Sequence, residues 1–261
     1  MTARAHDGNA TLRATARAAL MGTLLYAAVR FAAAYLDQYA FASAVVQAVL
    51  AEWGIGRLGV AWSDPLSPMP TPKEVAVRAL RGGGMGLTAA LVIFAVTLAT
   101  RAAYLTPNTP SIVVALVGFV VPACLAVRDE LLLRGLVLRV IPSDVPAPLR
   151  LLPCGLASAA AAYGEGATAT PALIAATLGG IAFGTLWLGD RGAWRAWGAH
   201  AAFSWASGPL AKGGLVDLRA TSGAWGGGDG GLGDGWAAVV ALAIVCAAAL
   251  GIHARKPPLP T

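Results

Sequence analysis

Charge is the scarcest ingredient of this sequence. Only 12% of its 261 residues are charged, against about 25% in an ordinary soluble domain, and so few charges cannot keep a water-facing surface wet around one core. A soluble globular enzyme is thereby excluded. Cysteine is rare as well: Cys124, Cys154 and Cys246 stand singly in apolar runs, where packing is the better reading than a disulfide scaffold or a metal site. Histidine occurs only at 6, 200 and 253, without an HExxH pair, which argues against a zinc enzyme. No short period recurs, and apolar dominance rules out disorder.

What the chain does have is apolar length. Hydrophobic residues make up 57% of it, and the mean hydropathy is +0.67. A helix needs roughly 20 apolar residues to cross a bilayer, so the expected fold is all-α, a polytopic transmembrane bundle of about eight helices. Eight stretches can be marked: Ala18 to Leu36, Tyr39 to Ala61, Met85 to Leu105, Ser111 to Val127, Leu149 to Tyr163, Pro171 to Leu188, Ala193 to Leu210 and Trp236 to Ile252. The first, preceded by Arg4, Arg13 and Arg17, reads as a retained signal anchor. The expected organisation is a tail, one or two membrane helices and a Pro-rich linker over 1–84, a membrane core over 85–252, and a tail over 253–261. The linker from Asp64 to Pro72 carries prolines at 65, 68, 70 and 72. The Gly- and Asp-rich segment from Gly223 to Gly235 is expected to be a loop, since one imperfect copy cannot build stacked calcium-binding turns.

The basic residues report topology. A net charge of +6 would suggest nucleic acid in a soluble protein, but here the cations lie between apolar runs, and no nucleic acid is expected. Arginine supplies sixteen of the nineteen, and with the abundant alanine and glycine this fits a GC-rich bacterial genome. With the N-terminus inside, fifteen cations fall on inner segments and three, Arg101, Lys212 and Arg219, on outer ones. Both termini are therefore expected in the cytoplasm, with the protein a multi-pass component of the inner membrane.

Acids within apolar sequence are functional suspects, because a bilayer makes them costly. In VPACLAVRDELLLRGLVLRVIP, Asp129 and Glu130 are adjacent, and Arg134 follows Glu130 by one helical turn. Glu130 and Arg134 can neutralise one another, while Asp129 points about 100° away and is free to act elsewhere; the bland alternative is an ion pair at a helix end. His200 is the one histidine deep in an expected span, with Ser204 and Ser207 on its helical face. Alone it would more often be a packing residue. Glu165 ends the fifth stretch, where a loop carboxylate is the plain alternative.

Together these residues resemble a family. Asp129-Glu130-x-x-x-Arg134-Gly135, preceded by Pro122, resembles the EExxxR-G motif of the CPBP (CAAX-protease and bacteriocin-processing, or Abi) intramembrane endopeptidases. The place of the second motif, FxxxH, is taken by Tyr163-Gly164-Glu165-Gly166-Ala167, and His200-Ala201-Ala202-Phe203-Ser204 resembles the third, HxxxN. The resemblance spans roughly residues 85–252. It implies a glutamic-type intramembrane protease in which a first-motif carboxylate and the second-motif histidine activate water, while third-motif donors stabilise the oxyanion. No cofactor or metal is expected from the residues; the partners would be the lipid bilayer and a membrane-associated protein or peptide substrate, with oligomeric state open. Three departures bear on activity: Asp129 stands for a glutamate, Ala167 for the second-motif histidine, and Ser204 for the asparagine.

A catalytically impaired relative that binds such a segment is the second hypothesis. A small transporter lacks matching broken half-helices, and a rhomboid-like serine protease lacks the GxS context. A simple span count puts Asp129 near the inner end of the fourth stretch and residue 167 near the outer end of the fifth, although the motifs must meet. A break at Pro122, with a helix from about Ala123 to Ile141, would bring the acids to mid-depth.

Overall fold

A computed structural model describes residues 8–64, 68–143, 145–221, 225–227 and 232–254. Arg4, His6, Arg255 and Lys256 lie outside the described residues, as do Pro65 and parts of the glycine-rich loop, and the His253 side chain is likewise not described. Eight helical stretches follow one another: α1 (Gly8–Ala34), α2 (Ala40–Arg57), α3 (Pro72–Ala99), the segmented run α4 (Ile112–Val117), α5 (Val120–Asp129) and α6 (Leu136–Val140), then α7 (Ala147–Gly164), α8 (Thr170–Asp190), α9 (Trp194–Trp205) and α10 (Trp236–Ala254). The all-α membrane bundle expected from the apolar runs is what forms. Among the described residues three stretches are long and apolar enough to cross a bilayer, at 72–99, 112–140 and 170–190. The 21 residues of α8 span about 31 Å at 1.5 Å per residue, matching a hydrocarbon core of about 30 Å. Phe31, Leu91, Ile112, Leu116 and Leu156 point outward on their helices, a surface suited to lipid.

Local chemistry explains several boundaries. α3 starts where the Pro-rich linker ends, with Pro72 in its first turn and a capping box at Thr71: Thr71 donates its backbone N–H to Glu74 Oε2 at 2.7 Å, and Thr71 Oγ1 accepts from the Glu74 N–H at 3.3 Å. The helix therefore runs through the position where the membrane core was expected to begin. It also stops at Ala99 rather than reaching Leu105, because Arg101 adopts a left-handed φ of 56° and turns the chain. β1 (Ala103–Thr106) then pairs antiparallel with β2 (Asp217–Ala220), Ala103 opposite Ala220. Thr106 Oγ1 donates to Asp217 Oδ2 at 2.6 Å, and with Arg219 it holds that carboxyl below the usual range.

The fourth stretch breaks at Gly118 and Phe119, not at Pro122. Pro122 sits in the first turn of α5, where a missing N–H costs nothing. Between α5 and α6 the backbone widens into a π-helical segment, Glu130–Gly135, every residue of which is buried. Leu131 and Leu132 are fully enclosed and pack with Tyr26, Ile55, Phe183 and Trp187, so this segment is the centre of the bundle.

Close approach elsewhere depends on glycine. A Cβ at Gly82 would lie 2.0 Å from the Arg195 carbonyl oxygen, one at Gly86 2.1 Å from that of Ala199, and one at Gly198 2.1 Å from that of Ala79. Gly82 and Gly86, one turn apart on α3, thus let α9 lie backbone to backbone against it. That contact fixes the height of His200, two residues beyond Gly198.

Candidate active site

The π-helical segment sets the directions of the two acids. Glu130 is completely buried, and three neighbours surround its carboxylate. Oε1 lies 3.0 Å from His200 Nδ1 and 3.1 Å from Arg134 Nη1, while Oε2 accepts from Trp187 Nε1 at 2.9 Å. The Arg134 contact is coulombic rather than a well-aligned hydrogen bond, since Nη1 directs no hydrogen along it. Arg134 is steadied instead by donating Nη2 to Ser158 Oγ at 2.9 Å and by lying over the Phe183 ring. Phe183 also stacks on the His200 imidazole, 4.8 Å between centroids.

Gly135 completes the arrangement. A Cβ there would come within 3.0 Å of the Trp187 ring, so the glycine makes room for the indole that holds Glu130. Position 135 is thus a packing requirement, one that the first motif carries without revealing its cause.

Asp129 turns the other way. Its Oδ1 accepts from Arg128 Nε at 2.6 Å, and its Oδ2 stands 3.9 Å from His200 Nε2. That gap is too long for a direct hydrogen bond and suits a bridging water. Arg128 is itself buried and binds outward residues: Glu165 Oε1 at 2.8 Å, Gln47 Oε1 on α2, and the face of Tyr26 on α1 at 4.9 Å. Tyr26 donates its hydroxyl to Glu165 Oε1 at 2.7 Å.

These groups meet at a cavity of about 310 Å³. Asp129, Arg134, Glu165, His200 and Ser204 all line it, and it reaches Lys212 and Asp234 beside the β-ribbon. Burial raises the Asp234 carboxyl, against the lowering influence of Lys212. Ser204, one turn beyond His200, lines the cavity with no hydrogen-bond partner among the described residues, whereas Ser207 donates to the Phe203 carbonyl at 2.8 Å. Ala167 lies in the turn after α7, its N–H bonded to the Ala162 carbonyl, and is not part of the lining.

The structure therefore brings together Asp129, Glu130, Arg134, Glu165, His200 and Ser204. Sequence reasoning missed the supports: Trp187, Phe183, Ser158, Gln47 and Tyr26. Gln47, a lone amide in an apolar run, was a visible signal. Arg128 was counted only as a topological cation, although it is the nearest partner of Asp129. Nothing in the pattern marked Trp187.

A helical membrane bundle that encloses a carboxylate, imidazole and guanidinium cluster beside a small cavity defines the class of this protein. Residues 108–206 match the family model described as Type II CAAX prenyl endopeptidase Rce1-like. This is the family that the motifs around Asp129 and His200 resemble, and the matched segment carries all six of those site residues. No curated protein matches the chain.

Proposed function

We propose that the protein is an intramembrane endopeptidase of the CPBP type that hydrolyses a peptide bond in a membrane-associated protein or peptide. The observation that carries this reading is the 3.9 Å gap between Asp129 Oδ2 and His200 Nε2, open to the cavity. In the tautomer whose Nδ1 donates to Glu130 Oε1, 3.0 Å away, Nε2 is left as the acceptor. A water between Nε2 and Asp129 is then positioned as nucleophile. As its oxygen attacks the substrate carbonyl carbon, its proton passes to His200 Nε2. The same proton goes to the departing amine nitrogen as the C–N bond breaks, leaving a carboxylic acid and an amine. Ser204 Oγ, unpartnered and one turn along, is suited to donate to the developing oxyanion.

In this reading the two acids divide the work. Glu130 orients the imidazole and never touches substrate, while Asp129 faces the water. Glu165 does not replace the missing second-motif histidine as a base; it anchors Arg128, which in turn fixes Asp129. The charge distribution favours an inner-membrane protein with both termini in the cytoplasm, and the cavity then extends toward the outer end of the bundle.

A second reading has its own support. His200 is the one imidazole among the described residues of the cavity, and position 167 supplies none. A catalytically impaired relative that binds a membrane segment in the same cavity would show this pattern. Purified protein in liposomes, incubated with membrane-anchored peptides and followed by mass spectrometry, separates the two. The first reading expects new N- and C-terminal products from wild type; retained peptides with no product would favour the second.

A further inference from the structure

A second hollow lies at the opposite end of the bundle from Lys212. It encloses about 530 Å³ between the chain after α2, the turn after α6, the start of α7 and the end of α8. Trp62 stacks on Trp194 beside it at 4.4 Å, and Ala193 donates its N–H to the Trp62 carbonyl, so the walls are pinned to one another. Three guanidinium groups line the space, Arg139, Arg150 and Arg191, against one acid among the described lining residues, Asp64.

The donors in this hollow are incompletely used. Arg139 lies 3.6 Å from Asp64. Arg150 spends one N–H on the Leu138 carbonyl at 3.2 Å, while its buried Nε has no hydrogen-bond partner. Arg191 ends α8 in a left-handed conformation, φ 53°, and its side chain has no hydrogen bond or ion pair among the described residues. The buried Arg150 Nε is costly without a partner, and with Arg191 exposed and unpaired at the rim the described lining carries more positive than negative charge. Guanidinium forks match phosphate oxygens in geometry as well as charge. α6 and α8, which frame the hollow, end segments long and apolar enough to cross a bilayer, and the ends of such spans are where headgroups would lie.

We propose that this hollow binds a phosphate-bearing anion, the chemistry shared by an anionic phospholipid headgroup and free phosphate. Gly135 and Trp187 are among its lining residues, and the Trp187 indole donates to Glu130. An occupant therefore touches a residue that steadies the candidate active site. Binding is itself the readout, so the site stands or fails independently of any peptidase activity.

The test titrates full-length protein in uncharged detergent with short-chain phosphatidylglycerol, phosphatidylcholine of equal chain length, and inorganic phosphate, by calorimetry. Wild type is expected to bind phosphatidylglycerol or phosphate, and the R150Q/R191Q variant to bind the same probe at least about tenfold more weakly, as loss of charged hydrogen bonds implies. A preference for phosphatidylglycerol over both other probes identifies a lipid headgroup; equal binding of inorganic phosphate identifies a free anion. Should the double variant not fold, the exposed R191Q change alone is expected to weaken binding about threefold, an ordinary effect for one partly exposed contact. Unchanged affinity in the folded variants, or no binding of either anionic probe by wild type, would overturn the proposal.

Discussion

Adjacent residues can differ entirely in role when a helix turns them to opposite environments, and Asp129 and Glu130 do. The Asp129 side chain is 17% exposed and faces the cavity, whereas that of Glu130 is 0% exposed and saturated by His200, Arg134 and Trp187. Asp129→Asn should leave the fold intact and lower the rate of cleavage by about a hundredfold or more, the usual weight of a positioned acid–base group. Glu130→Gln should instead destabilise by about 3–5 kcal/mol, because it leaves the Arg134 guanidinium buried without its counter-ion; thermal unfolding in detergent separates the two variants. Trp187→Phe removes a donor to a charged carboxylate and should cost about 1.5–3 kcal/mol. At this scale the sequence was half readable. The Glu130–Arg134 pairing and the divergence of Asp129 follow from helical spacing, but Trp187 lies 57 residues from Glu130 in the chain, and no local pattern announces a hydrogen bond formed across the bundle.

Among the elements, the crossing of α3 and α9 sets the position of His200, and glycine makes it possible. Gly86→Ala places a methyl against the Ala199 carbonyl backbone, which no rotamer change can relieve. The resulting overpacking, about 1–3 kcal/mol, outweighs the roughly 1 kcal/mol that alanine gains over glycine in a helix. Gly84→Ala meets nothing within 4 Å and should raise stability by up to about 1 kcal/mol. Unfolding midpoints of this pair in detergent test the crossing directly, since helix propensity alone would stabilise both. The eight helical stretches were legible because apolar length is a strong signal. The π-helical segment was not, since it arises from packing around Glu130, and the β-ribbon was not, because strands of four residues carry little pattern. The expected separation of Asp129 from residue 167 holds in that Ala167 stays out of the cavity lining, whereas Glu165, two residues earlier, lines the same cavity as Asp129.

Across the whole molecule, the few charges sort by end. Arg57, Arg139, Arg150, Arg191 and Arg195 gather where α2, α6 and α8 finish, and Lys212, Arg219, Asp217 and Asp234 lie at the ribbon end. In the proposed topology the first end is the cytoplasmic one, as positive-inside asymmetry requires. Single cysteines at Arg219 and Arg191 check this with a membrane-impermeant maleimide on spheroplasts: R219C should label directly, and R191C only after permeabilisation. The orientation matters because it decides which compartment the cavity mouth faces, and so which segment of a membrane-anchored protein can reach Asp129. The central claim is that Asp129 and His200 together activate water for peptide hydrolysis. Its most direct test is the initial cleavage rate of a membrane-anchored peptide by reconstituted wild type, Asp129→Asn and His200→Gln protein at matched folded concentration. The account predicts that wild type cleaves and that each substitution lowers the rate by about a hundredfold or more; cleavage at the wild-type rate in both variants would contradict it.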